Sequence, residues 1–266
     1  MTKHFALADG FTDPDFSAWQ SLAEKALKGA SLDRLTATTY DGIAVKPLYT
    51  PNDVSQDLTG LPASSRDTFL PWDIRQTVLD SDPIKANLTA LEDLERGVSS
   101  IEFCIDPKGF CGVAAQTASD YAALTAGIVS NIATIGLFAP DDPLHAANML
   151  CAAIAPNLRQ DAKIAFNLDP MAQAMTKGAS LTLAQSAVFA KEVAATFPAA
   201  SALRADARPI HEGGGSEAQE LAVLIASGIA HLRAGEAIGQ SPAHVDQTLL
   251  FTLSVGPDVV IEIAKL

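Results

Sequence analysis

The sequence predicts an α/β fold: a (β/α) barrel of TIM type, incomplete in this chain, preceded by a helix–hairpin extension. Three observations carry this. From Ser99 onward, short apolar runs alternate with longer alanine-rich segments, the order of repeated βαβ units on a parallel sheet. The runs lack a period of two, as strands covered on both faces do. Most of them end in a polar or Pro/Gly-bearing loop, and in α/β barrels those loops hold the functional site.

The extension comes first. Asp13 to Lys28 reads as a helix, with Phe16, Trp19, Leu22, Ala26 and Leu27 at helical spacing. Asp13-Pro14 supplies an N-cap and an N1 proline, and Gly29 a stop. Leu35 to Tyr40 and Ile43 to Lys46, joined by Asp41-Gly42, read as a hairpin with a type I′ turn. Thr50 to Asp67 is a long coil rich in Pro, Ser, Asp and Gly, of the kind that wraps another surface. Ile84 to Arg96 is a helix running into Gly97. These features place the extension at 1–95 and the barrel at 96–266.

Five strands are predicted in the barrel: Ser99–Asp106, Ile132–Ala139, Lys163–Leu168, Ala202–Asp206 and Leu249–Val255. Between them lie helices at Ala118–Ser130, Pro143–Ala155, Leu181–Phe197 and Ser216–Ala234. A full (β/α)₈ barrel takes about 250 residues; the roughly 170 that remain hold five or six units. Pro257 to Leu266 begins one more helix, with Val259, Val260, Ile263 and Leu266 apolar. The expectation is a piece of a longer protein, or a partial barrel that another chain completes. Its last strand would otherwise leave an open parallel edge.

Composition narrows the function. Of 266 residues, 48% are hydrophobic and 18% charged, enough for a large core and too apolar for a disordered chain. The net charge of −13 repels phosphate backbones, so nucleic-acid binding is not expected. An anionic ligand would need a local basic pocket. No run of 18 apolar residues predicts a membrane span, and Met1-Thr2-Lys3-His4 lacks a signal pattern, which points to the cytoplasm. Three cysteines without CxxC spacing argue against a disulfide framework or zinc site. Cys104 and Cys151 read as core residues, and Cys111 as more exposed.

The most specific stretch is Pro71-Trp72-Asp73-Ile74-Arg75-Gln76. On its own it fits a structural turn, with Trp72 buried and Arg75 paired to a carboxylate. Other blocks join it in order: Lys28-Gly29, Leu32 to Leu35, Asp41-Gly42-Ile43, Lys46 to Thr50, Asp53, Gly60-Leu61-Pro62, Arg66, Asn87 and Leu91 to Val98. His211-Glu212-Gly213-Gly214-Gly215, Gln219 to Ala222 and Phe251 to Lys265 follow. Together, from about residue 19 to the last, they resemble the small, or beta, chains of the methylmalonyl-CoA mutase family. In that family the chain continues further. The resemblance implies a substrate barrel that encloses an acyl-CoA. It also implies a parent isomerase that interconverts methylmalonyl-CoA and succinyl-CoA with adenosylcobalamin, the cofactor supplying the radical and the protein the enclosure. Trp72, Arg75, Gln76 and His211 are the substrate or lumen candidates it marks.

The departures from the family's catalytic chains all point one way. Thr77 stands where their tyrosine presses on the cofactor, and Leu70 where an arginine contacts CoA. Asp169 to Thr176 lacks the arginine that holds the substrate carboxylate. Pro209 stands where a Tyr-His-Met-Gln-Glu-Ala-Gly pattern carries its histidine, and His211 takes the glutamine's place. A buried anionic ligand without guanidinium partners costs several kcal/mol. No Asp-x-His-x-x-Gly motif, the family's cobalamin ligand, occurs; Asp142-Pro143-Leu144-His145 has the wrong spacing. His211 could act as an acid, a base or a cobalt ligand, or sit in a loop bonded to a backbone carbonyl. Gly213 to Gly215 could cradle a phosphate or form a tight turn capped by Ser216; flanking Glu212 and Glu217 favour the turn. No metal site and no Ser–His or Cys–His nucleophile pattern emerges.

The expected role is therefore the non-catalytic small subunit of the mutase, supporting a catalytic large subunit in a heterodimer. The extension would wrap the partner. Two other readings stay open: a stand-alone mutase for a different acyl-CoA, and an acyl-CoA-binding scaffold.

Overall fold

The structure, a computed structural model, describes residues 15–53, 72–178 and 180–266. The chain divides into two compact units, 1–65 and 66–266.

The first unit holds helix α1 (Phe16–Ala26) and a two-stranded antiparallel hairpin, β1 (Ala37–Thr38) and β2 (Ala44–Val45). Asp15 caps α1 by accepting the Ser17 N–H at 3.0 Å. The cap thus lies two residues after Asp13, which is outside the described residues along with Pro14. Lys28 (φ 54°) and Gly29 (φ 86°) end it in left-handed conformations. The hairpin turn differs from the type I′ expectation. Only Gly42 takes positive φ, at 79°, while Tyr40 and Asp41 do not. The Gly42 N–H bonds Thr39 O at 3.0 Å, the pattern of a three-residue loop with glycine in the left-handed position. The coil expected to wrap a partner falls mostly at 54–71, outside the described residues.

The second unit is a six-stranded, all-parallel sheet with its strands in chain order, flanked by helices. It runs β3 (Arg75–Val78), α2 (Pro83–Glu95), β4 (Ser100–Cys104), α3 (Ala118–Thr125), β5 (Thr134–Phe138), α4 (Pro143–Ala153) and β6 (Ile164–Leu168). Then come α5 (Pro170–Thr176), α6 (Leu183–Thr196), β7 (Ser201–Asp206), α7 (Arg208–Glu212), α8 (Glu217–Ala237), α9 (Pro242–Asp246), β8 (Leu249–Thr252) and α10 (Val259–Lys265). This is the partial (β/α) barrel that the sequence predicts. β3 pairs in parallel with β4 from Arg75↔Ser100 to Val78↔Phe103, and α2 follows it. Strand β3 and helix α2 thus form a βα unit within the second compact unit.

Local chemistry sets the elements. Asp-Pro or Ser-Pro pairs open helices α2, α4, α5 and α9, the first residue capping and the proline occupying N1. Thr117–Asp120, Thr182–Gln185 and Ser216–Gln219 form capping boxes for α3, α6 and α8. Helix α3 stops at Thr125, short of the predicted Ser130, because Gly127 turns the chain at φ 77°. One face of the sheet forms the core: Ile101, Phe103, Ile135, Leu137, Ile164, Phe166 and Leu203 pack with Tyr121, Leu150, Val193 and Phe197. Phe166 meets Phe189 and Phe197 edge-on at 5.2 and 5.9 Å. Cys104 and Cys151, read as core residues, are only half-buried; Cys111 is exposed as expected.

Candidate functional site

Strand residues alternate faces, so Ser100, Glu102 and Cys104 turn away from the core that holds Ile101 and Phe103. Register carries that inner face across the sheet: Thr77 pairs with Glu102, Glu102 with Gly136, and Gly136 with Ala165. The Glu102 side chain passes Gly136, where a methyl would meet it at an ordinary 3.5 Å, and extends across β5 toward β6 and β7. Its Oε2 accepts from Asn167 Nδ2 at 3.4 Å and lies 3.9 Å from Arg204 Nη1.

Asn167 holds a φ of +56°, rare for a non-glycine residue inside a strand. The β6–β7 register shifts here, between Ala165 and Leu168. The twist lets Asn167 Nδ2 also donate to Leu137 O at 2.9 Å.

Two arginines meet one aspartate at the end of β7. Arg204 Nη2 lies 3.2 Å from Asp206 Oδ2, and Arg208 Nε donates to both Asp206 oxygens at 2.9 and 3.1 Å. Both guanidiniums also sit over the Phe138 ring, 5.6 and 6.0 Å from its centroid. Burial works to raise the Asp206 carboxyl, but the Arg208 hydrogen bond and the Arg204 charge outweigh it and hold the group below its ordinary range. Burial lowers Arg204 from its usual value, against the pull of Asp206. Asp169 is buried too, and there burial wins and pushes its carboxyl up. These groups line a cavity of about 330 Å³ at the C-terminal ends of β5, β6 and β7, with Phe138, Pro143, Gln173, Pro209 and Glu212. That end of a parallel sheet is where ligands bind in this architecture.

The residues marked by the sequence do not gather here. Trp72 is 68% exposed, not buried. Arg75, exposed on edge strand β3, donates from Nε to Ser100 Oγ at 3.1 Å and not to a carboxylate. Gln76 is also exposed, its Nε2 3.5 Å from Thr77 O. Pro209 lines the cavity. His211 lies on α7 and not in a loop; its Nδ1 sits 3.7 Å from Glu220 Oε2, so its neighbour is a carboxylate and not a carbonyl. Three strands separate it from Arg75 in the sheet. Gly213 to Gly215 link α7 to α8 as a tight turn that Ser216 caps.

A second charged cluster joins α8 and α10. Glu220, wholly buried, accepts from Ser254 N at 2.7 Å and from Lys265 Nζ at 3.0 Å. Lys265 also donates to Ser254 O at 2.7 Å and lies 2.6 Å from Glu262 Oε2. Sequence reading missed both clusters. The signal of the first was a charged residue inside an apolar strand run, at Glu102, Arg204 and Asp206; the second, on two helices, had no such mark. Among the described residues no helix is long and apolar enough to cross a membrane.

Comparison with known proteins bears on this geometry. A family model described as methylmalonyl-CoA mutase matches residues 38–266. The chain is 29% identical to a methylmalonyl-CoA mutase small subunit of Streptomyces virginiae, over 98% of this chain and 44% of that protein. It is 26% identical to the small subunit of Propionibacterium freudenreichii subsp. shermanii, over 98% of this chain and 43% of that protein. A methylmalonyl-CoA mutase of Cereibacter sphaeroides is 39% identical over 103 residues, 35% of this chain and 14% of that protein. The chain thus spans less than half the length of the small subunits it matches. With a parallel sheet in chain order and a match across most of its length, the chain belongs to the methylmalonyl-CoA mutase family.

Proposed function

We propose that this chain belongs to a non-catalytic small subunit of a methylmalonyl-CoA mutase and supports a catalytic large subunit. The parent enzyme would be an isomerase that interconverts methylmalonyl-CoA and succinyl-CoA. One observation carries the reading. On the inner face near the ends of β4 to β7, Glu102, Asn167, Arg204 and Asp206 are tied to one another, and the cavity that the last three border, about 330 Å³, is small for an enclosed acyl-CoA. The residues around it agree, with Thr77 and Pro209 where catalytic chains carry tyrosine and histidine.

Adenosylcobalamin supplies radical chemistry to the parent enzyme, and among the described residues no histidine lines the cavity to ligate its cobalt. His145 Nε2 is taken by Gln116 O at 2.9 Å, and His244 Nδ1 by Ser241 Oγ at 2.7 Å. His231 is buried on Arg204 O, and His211 faces Glu220. Thr77 is too small to press on a corrin ring. The catalytic large subunit, in this reading, carries the cofactor at which turnover takes place. In this reading the unit at 1–65 is the arm that reaches the partner, forming a heterodimer.

The test is co-purification of the full-length chain with a catalytic large subunit, followed by sedimentation at several concentrations. The expected result is a 1:1 complex whose turnover depends on the large chain alone. A lone species that isomerises or binds acyl-CoA and ignores the large chain would replace this reading with a stand-alone mutase or scaffold.

A further inference from the structure

We propose that the cavity at the C-terminal ends of β5, β6 and β7 binds a small zwitterion, a molecule with a carboxylate at one end and an ammonium at the other, such as a free amino acid. Arg204 supplies the first reason. It is 6% exposed and lines the cavity. Its Nε has no hydrogen-bond partner, and its Nη atoms have only ion-pair contacts, at 3.2 Å to Asp206 and 3.9 Å to Glu102. A buried guanidinium carries five donors and is costly to leave unmet. Arg208, on the same wall, spends Nε and Nη2 on Asp206, leaving Nη1 without a bond among the described residues. Both arginines line the same cavity, and a carboxylate is the acceptor suited to a guanidinium fork.

Charge decides what else the ligand carries. Against two guanidiniums stand the carboxyl groups of Glu102, Asp169, Asp206 and Glu212. A plain anion would add to that negative excess, whereas a zwitterion adds no net charge. Glu212, exposed at the cavity rim and in no ion pair among the described residues, is the group for its ammonium. Phe138, Pro143 and Ala172 give the wall an apolar side for a short aliphatic chain. About 330 Å³ sits at the small end of ligand pockets. The proposal goes beyond the small-subunit reading and does not depend on it.

The full-length chain, alone and in its complex, would be titrated by calorimetry with glycine, glutamate, glutamine, succinate and putrescine. The expected result is one site that prefers an amino acid over both succinate and putrescine. Arg208→Met should weaken that binding roughly ten- to a hundredfold, the loss of a charged hydrogen bond. Glu212→Gln, a rim change that leaves the buried cluster intact, should remove the preference for the amino acid over succinate. No heat from any amino acid at millimolar concentration would overturn the proposal. So would a stronger response to succinate or putrescine, or amino-acid binding that neither variant alters.

Discussion

The carboxylate of Asp169 accepts the backbone N–H of Asp206 at 2.7 Å, from the end of β6 to the end of β7. A side chain here replaces a ladder acceptor, because the register of β6 against β7 slips beside the left-handed Asn167. Its other oxygen caps α5 through the N–H groups of Met171 and Ala172, at 3.0 and 2.9 Å. One residue thus ties two strands and a helix at the cavity wall.

Asp169→Asn should therefore destabilise the protein by about 1–3 kcal/mol, since an amide cannot present acceptors on both sides and one buried N–H loses its partner. Urea unfolding of the variant beside the parent checks this. An unchanged midpoint would show that the three hydrogen bonds are dispensable.

His231 predicts a loss of stability in weak acid. Its ring is 1% exposed, with Nε2 on Arg204 O at 3.1 Å and Nδ1 unpartnered. A carbonyl only accepts, so Nε2 carries a proton, and burial without a partner for Nδ1 disfavours a second one. Burial lowers its pKa to about 4. The folded state then binds fewer protons than the unfolded chain between pH 6.5 and about 4, and stability falls as pH falls through that window. The full effect is about 3 kcal/mol. His231→Gln should flatten the denaturation midpoint between pH 7 and pH 5, where the parent slopes.

Gly235→Ala should destabilise the chain although alanine is the better helix former. A methyl at this position of α8 would run into Val245 Cγ2, the buried side chain that α9 sends into the core. Overpacking costs about 1–3 kcal/mol, against the roughly 1 kcal/mol that alanine gains over glycine in a helix. The double variant with Val245→Ala should recover part of the loss. A cycle of thermal melts measures the coupling.

Lys265→Met should cost about 3–5 kcal/mol, because it leaves Glu220 charged and buried beside Glu262. Adding Glu220→Gln should return much of it. Hydrogen exchange over the Ser254 amide would report whether α10 has lifted from α8.

Much of this could be read in advance. The runs that became β4 to β7 were legible because burial on both faces leaves no polar alternation; β8, its Leu250 and Phe251 exposed, was legible from its apolar side chains alone. β3 was not, since Arg75-Gln76-Thr77 is polar and sits at the sheet edge, where one side needs no cover. Helices α5 and α7, only 7 and 5 residues long, were too short to show a period. The cavity was hidden for another reason. Glu102, Asn167 and Arg204 are far apart in sequence, and only the register of three strand pairings brings them together. His211 drew attention as the one histidine in a recognised block, yet its setting is a carboxylate neighbour that no local spacing reveals.

The order of the sheet has a consequence for how the protein is made. Every strand pairs only with the strands before and after it in the chain, with register partners 25 to 46 residues apart. A chain emerging from the ribosome meets each new strand with its template already laid down, so the sheet can grow from one side as synthesis proceeds. The contacts of Glu102 are exceptions, reaching over one strand to Asn167 and over two to Arg204. The longer of them can close only after β7 has been translated, when four strands are already in place.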